Sequence, residues 1–98
     1  MSVIVSDRRT LIVGLGKTGL SCVRYLSEQG RDVAVADSRT APPGLDQLKV
    51  GWPDIPVHLG TFDAELFAGF NELVVSPGIS IAEPAIAAAA RQGARIRG

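Results

Sequence analysis

Gly14, Gly16 and Gly19 stand at the spacing G-x-G-x-x-G inside LIVGLGKTGLS, the stretch from Leu11 to Ser21. An apolar, β-branched run ends at the first glycine and helical spacing opens at the third, the strand-turn-helix setting in which this pattern carries meaning. The chemistry such residues do is anion binding. Glycines let backbone approach a ligand closely, and the first N–H groups of the following helix point outward without a partner. Lys17 and Thr18 lie within the turn, where Lys17 either adds charge to a phosphate site or faces solvent. The same glycines also suit a plain tight turn, but all three fall where a diphosphate-binding fingerprint requires them.

Two further loops carry residues of complementary type. Asp37, Ser38 and Arg39 follow an apolar run, and Asp37 comes eighteen residues after Gly19, near the ~20-residue offset of an acidic residue that holds a nucleotide ribose. Ser76, Pro77 and Gly78 follow another apolar run. A carboxylate accepts hydrogen bonds from a ribose or base, a guanidinium stacks on or donates to a planar group, and a hydroxyl does either. Each loop alone is ordinary turn chemistry; together they describe a nucleotide-diphosphate pocket. His58 is the only histidine and has no Cys or Glu at ligand spacing, so a structural role is expected, as it is for Trp52 and Phe62. There is no nucleophile-base pair, metal-ligand cluster or G-x-x-x-x-G-K-[ST] loop, so no catalytic residue is assigned.

The elements that must position these loops read as strands alternating with helices. Thr10 to Val13 is the first strand, and Lys17 to Gln29 the first helix, with Leu20, Val23 and Leu26 as its buried stripe and Cys22 and Tyr25 alongside. Asp32 to Ala36 is the second strand, ending at Asp37. Ser38 to Gly44 is a loop, Leu45 to Val50 a short helix, Pro56 to Leu59 a third strand, and Asp63 to Phe67 a brief helix. Leu73 to Val75 is the fourth strand. A fourth helix has Pro84 near its first turn and Gly93 past its end, with Ser80 and Glu83 in capping-box spacing just ahead. Arg95 to Gly98 reads as the start of a fifth strand, so the architecture is expected to continue. This alternation implies right-handed βαβ units. The expected fold is α/β, a Rossmann-like doubly wound parallel sheet of about five strands in the order 3-2-1-4-5, with residues 1–98 as a single domain. Ligand would then sit at the carboxyl ends of the strands, between strands one and four.

Composition narrows the partners. Ten Lys and Arg balance ten Asp and Glu, which argues against nucleic acid or an anionic membrane, both of which favour a clustered basic excess. The pairs Arg8-Arg9 and Arg95-Arg97 are expected to be solvated strand ends. Cys22 is the only cysteine, so no intrachain disulfide forms; the thiol is expected to fill core, and a reducing cytoplasm is the expected location. No window reaches the ~18 apolar residues of a membrane span, and MSVIVSDRR lacks a signal-peptide core.

GLGKTGLS (Gly14 to Ser21), Asp37-Ser38-Arg39, APPGLDQL (Ala41 to Leu48) and VVSPGI (Val74 to Ile79) together resemble the N-terminal, UDP-binding domain of the Mur ligase family, in the branch that joins glutamate to UDP-N-acetylmuramoyl-L-alanine. The likeness runs over essentially the whole chain. It implies that Gly14, Gly16, Lys17, Thr18 and Gly19 line the diphosphate, that Asp37, Ser38 and Arg39 surround the uracil, and that Ser76, Pro77 and Gly78 complete the pocket. Ser38 stands where threonine is common, and Lys17 where an apolar residue can stand. The resemblance further implies a monomer whose ATP and magnesium sites belong to a central domain, and whose incoming amino acid is held largely by a C-terminal domain, both outside these 98 residues, which alone would be inactive. The residues by themselves leave two alternatives open: an NAD(P)-binding domain of a dehydrogenase or regulatory protein, and a stand-alone interaction module whose glycine loop is only a turn.

Overall fold

Alternating apolar residues on each strand face two different layers, and the helices divide between them accordingly. The computed structural model describes residues 9–98, so Arg8 and the preceding segment lie outside the described residues. The elements are β1 (Arg9–Val13), α1 (Lys17–Glu28), β2 (Asp32–Asp37), α2 (Leu45–Gly51), β3 (Val57–Leu59), α3 (Ala64–Ala68), β4 (Glu72–Val75), α4 (Pro84–Arg91) and β5 (Arg95–Arg97). All four pairings are parallel and the order is β3-β2-β1-β4-β5, the order the alternation of elements predicts.

Leu11, Val13, Ala34, Ala36, Leu73 and Val75 pack under α3 and α4, against Phe67, Phe70, Ala85, Ile86 and Ala89. Ile12, Val33 and Val35 face the opposite layer, where Val23 and Leu26 of α1 and Leu48 of α2 cover them. The chain therefore changes layer after β3, and β1 and β4 become the central neighbours from which connections leave in opposite directions. That divergence opens a crevice at their carboxyl ends.

Three features depart from the sequence reading. Tyr25 does not join the buried stripe of α1; it is 62% exposed, because it lies on the flank of the helix beside β4 and β5, where no helix of the described residues packs. Ser80 and Glu83 form no capping box: Pro84 occupies the first turn, which places Glu83 at the N-cap with no side-chain cap bond. Ser80 Oγ instead accepts from the Ala82 N–H at 3.1 Å.

The third is Glu72, which no sequence pattern singles out. It begins β4, buried, and its carboxylate accepts from Arg31 at 3.0 Å, Arg97 at 2.8 Å and the Thr10 hydroxyl at 3.3 Å. Burial alone would raise its pKa, but the bonds from Arg97, Thr10 and Arg31 outweigh that and lower it. Arg9 and Arg97 are exposed as expected, yet both are engaged: Arg97 with Glu72, and Arg9 over the Phe70 ring at 4.7 Å and beside Asp32 at 3.4 Å. Glu72→Gln keeps the shape but removes the charge, and should cost about 1.5 kcal/mol in urea unfolding at neutral pH.

Candidate functional site

The three loops singled out above leave the carboxyl ends of β1, β2 and β4 and meet around an open hollow of about 380 Å³. Gly14, Gly16, Lys17, Thr18, Ser38, Arg39, Ser76 and Gly78 line it, together with Ile79. Of the other residues singled out, Gly19 and Asp37 lie beneath this lining and Pro77 is exposed outside it.

Gly14 turns the chain out of β1 with φ +103°, a conformation that L side chains rarely adopt. A Cβ there would also lie 2.6 Å from Ser76 Oγ, so the first and third loops touch at this point. Ser76 Oγ donates to the Gly14 carbonyl at 3.3 Å and the Ser76 N–H to the Val13 carbonyl at 3.0 Å. Gly19 does different work. A Cβ at Gly19 would lie 2.1 Å from the Gly14 carbonyl oxygen, so the start of α1 rests directly on the turn that precedes it.

That contact aims α1. Its N-cap is Gly16, and no acidic side chain occupies its first turn. The first intrahelical bond runs from Leu20 N to Gly16 O at 2.9 Å, so the amides of Lys17, Thr18 and Gly19 precede it and are left for another acceptor. With the positive end of the helix dipole and the exposed Lys17 side chain, they make a field suited to a diphosphate.

Asp37 is turned inward. It is 2% exposed, and both carboxylate oxygens are engaged within the protein: Oδ2 accepts from the Leu15 N–H at 2.8 Å and Arg39 NH2 at 2.8 Å, and Oδ1 from the Arg39 N–H at 2.8 Å and Nε at 2.9 Å. Burial alone would raise its pKa; the bonds from Arg39 and Leu15 outweigh that and hold it at about 2. The carboxylate thus ties the second loop to the middle of the first. Arg39, gripped along one edge, keeps 55% of its side chain exposed, leaving the plane of the guanidinium for a flat partner.

Sequence reasoning missed three contributors. Leu15 is fully buried and is held by its backbone at both ends, by Asp37 at its N–H and by the Gly44 N–H at its carbonyl, 3.1 Å. Gly44 approaches α1 so closely that a Cβ would meet Leu20 Cδ1 at 2.9 Å. Ile79 adds an apolar wall, brought back to the hollow by a turn closed from its N–H to the Ser76 carbonyl at 3.0 Å. Ile79 adjoins the Ser76-Pro77-Gly78 turn, and that adjacency was the only available signal for it.

A family model described as Mur ligase MurD-like, N-terminal domain, matches residues 8–98. The chain belongs to this MurD-like family. It is 85% identical over all 98 residues to the UDP-N-acetylmuramoylalanine–D-glutamate ligase of Marinobacter nauticus, and 47% identical over 98 residues to that of Pseudomonas aeruginosa. In both comparisons the whole of this chain is covered but only 22% of the relative, so this MurD-like chain spans about a fifth of those proteins. Among solved structures it is similar to a minor L-lactate dehydrogenase from Enterococcus mundtii, with TM-score 0.52 and 20% identity over 91% of this chain and 35% of that one. That likeness shows a shared Rossmann-type fold. Among the described residues of this MurD-like domain, no helix is long and apolar enough to cross a membrane.

Proposed function

We propose that this chain is the substrate-gripping domain of a peptidoglycan-precursor ligase, and that its hollow binds the UDP end of UDP-N-acetylmuramoyl-L-alanine. The observation that carries this reading is the meeting of three loops, all from strand carboxyl ends, around one hollow that offers helix amides, a lysine and a guanidinium plane. In the proposal, the amides of Lys17, Thr18 and Gly19 receive the diphosphate, with Gly14 and Gly16 leaving room for its approach. Ser38 and Arg39 take the uracil, and Ser76, Gly78 and Ile79 close the remaining wall beside Pro77. Asp37 acts by fixing Leu15 and Arg39.

The reaction itself, ATP-dependent joining of D-glutamate to the alanine carboxylate, belongs to the longer protein. Among the described residues there is no group of His, Cys, Asp or Glu placed to hold a metal ion, and the sequence has no G-x-x-x-x-G-K-[ST] loop. In the proposal, ATP and magnesium are bound by the longer protein. Its contribution is to hold the distal end of the substrate, so that binding energy gained far from the reacting carboxylate is available for orienting it.

Amide-resolved titration with UDP, UDP-N-acetylmuramoyl-L-alanine and NADH tests the reading. Shifts should concentrate at residues 14–19, 38–39 and 76–79, with dissociation constants of about 0.1–1 mM because one side of the ligand stays in solvent. Tighter binding of NADH than of either uridine ligand, or no shifts at several millimolar on that scale, would overturn it.

A further inference from the structure

Among the described residues, the sheet face that carries α1 and α2 is covered over β1, β2 and β3 but left open over β4 and β5. Leu73, Val75 and Ile96 pack toward α3 and α4, so by strand alternation Val74, Arg95 and Arg97 face the α1 side. Parallel strands in α/β proteins are ordinarily covered on both faces. Here the open part is a groove of about 420 Å³ along the flank of α1. Leu26 and Val74 form its floor, Cys22 and the exposed Tyr25 a wall, and Thr18 and Gly98 also line it.

We propose that this groove seats the polypeptide that follows Gly98 in the longer protein, as an amphipathic helical segment lying along α1. The family model describes an N-terminal domain, and the chain spans 22% of the relatives it matches, so in them most of the protein lies beyond the matched part. Gly98 itself borders the groove. The size of the groove also selects a tethered occupant. Eleven residues line it, against about 20–30 per side in a stable interface between free proteins. A segment joined to β5 needs less contact, because tethering supplies an effective concentration in the millimolar range. The length of α1, 12 residues, sets the segment at about 18 Å, roughly three turns.

The test compares this 98-residue chain with the full-length protein. Alkylation of Cys22, followed on its own peptide by mass spectrometry, should be at least tenfold slower in the full-length protein. Tyr25→Asp should lower the melting temperature of the full-length protein by several degrees more than that of the short chain, where the side chain is in solvent and the change costs only a carboxylate near the C-terminal end of α1. Equal alkylation rates in the two proteins, or equal effects of Tyr25→Asp on both, overturn the proposal. Cys22 protection that grows with concentration in the short chain also overturns it, by making a second copy the occupant. UDP titration of the same variants keeps the nucleotide reading separate, because none of these residues except Thr18 borders the nucleotide hollow.

Discussion

Gly19→Ala should lose both fold stability and nucleotide binding, although it adds a single methyl group to a helix. The new Cβ would lie 2.1 Å from the Gly14 carbonyl oxygen, 3.2 Å from the Gly14 carbonyl carbon and 3.6 Å from Ile12 Cγ2. The first two are backbone, so no side-chain rotation relieves the clash and α1 must lift off the turn. Overpacking of this kind costs about 3 kcal/mol, which urea unfolding would register directly. Lifting the helix also moves the amides of Lys17 and Thr18 away from the proposed diphosphate, and losing one hydrogen bond to a charged group costs about 1.5–3 kcal/mol, roughly tenfold to a hundredfold in affinity. Gly16→Ala is the informative control. Gly16 has φ −112° and nothing within 4 Å of an added Cβ, so its cost is that of a poorer N-cap, about 0.5 kcal/mol. If the Gly19 variant matched the Gly16 variant in stability, α1 would not be resting on the turn as described.

The contrast between these two glycines shows what the sequence disclosed. Their spacing placed both in one loop, and the alternation of elements placed that loop at the switch point of a 3-2-1-4-5 sheet; both readings hold because they depend on backbone periodicity and right-handed crossovers. Which glycine lines the hollow and which is pressed against a carbonyl depends on how α1 sits, and no local pattern encodes that. Asp37 illustrates the same limit. Its offset from Gly19 marked it as a residue of the site, but spacing does not say whether a carboxylate points at solvent or at the N–H of Leu15, 22 residues away. Glu72 had no pattern at all, and Gly44 lay within APPGLDQL with nothing in that stretch to say that it meets α1. Their roles arise only when β4 lies beside β1 and the loop after β2 folds back onto α1. Tyr25 was misplaced because helical period assigns a face relative to an assumed cover, and among the described residues no helix lies over β4 and β5 on that side.

Asp37→Ala should be the second severe change, and the way it fails separates positioning from direct contact. Removing the carboxylate strands the buried Leu15 N–H and frees Arg39, whose exposed guanidinium returns to water at little cost. The loss is then mainly one unsatisfied buried donor and one broken ion pair, about 2–3 kcal/mol, or roughly 10–20 °C in melting temperature for a domain of this size. Nucleotide affinity should fall at least thirtyfold in the same variant, because the middle of the glycine loop and the Arg39 plane are released together. A carboxylate whose only role was to touch ligand would lose affinity without loss of stability. A double-mutant cycle with Arg39→Ala sharpens the distinction: the two changes should be strongly non-additive, since each removes the same pair. Acid titration supplies an independent readout. With its folded pKa at about 2 against an ordinary 3.8, Asp37 stabilises the fold fully above pH 4. That contribution, about 2 kcal/mol, is lost as pH falls toward 2. Glu72, also lowered, adds loss of the same sign below its ordinary 4.5. The stability difference between wild type and Asp37→Asn should therefore shrink steadily from pH 4 to pH 2. A difference that stayed constant across that window would mean that the charge on Asp37 does not hold the two loops together.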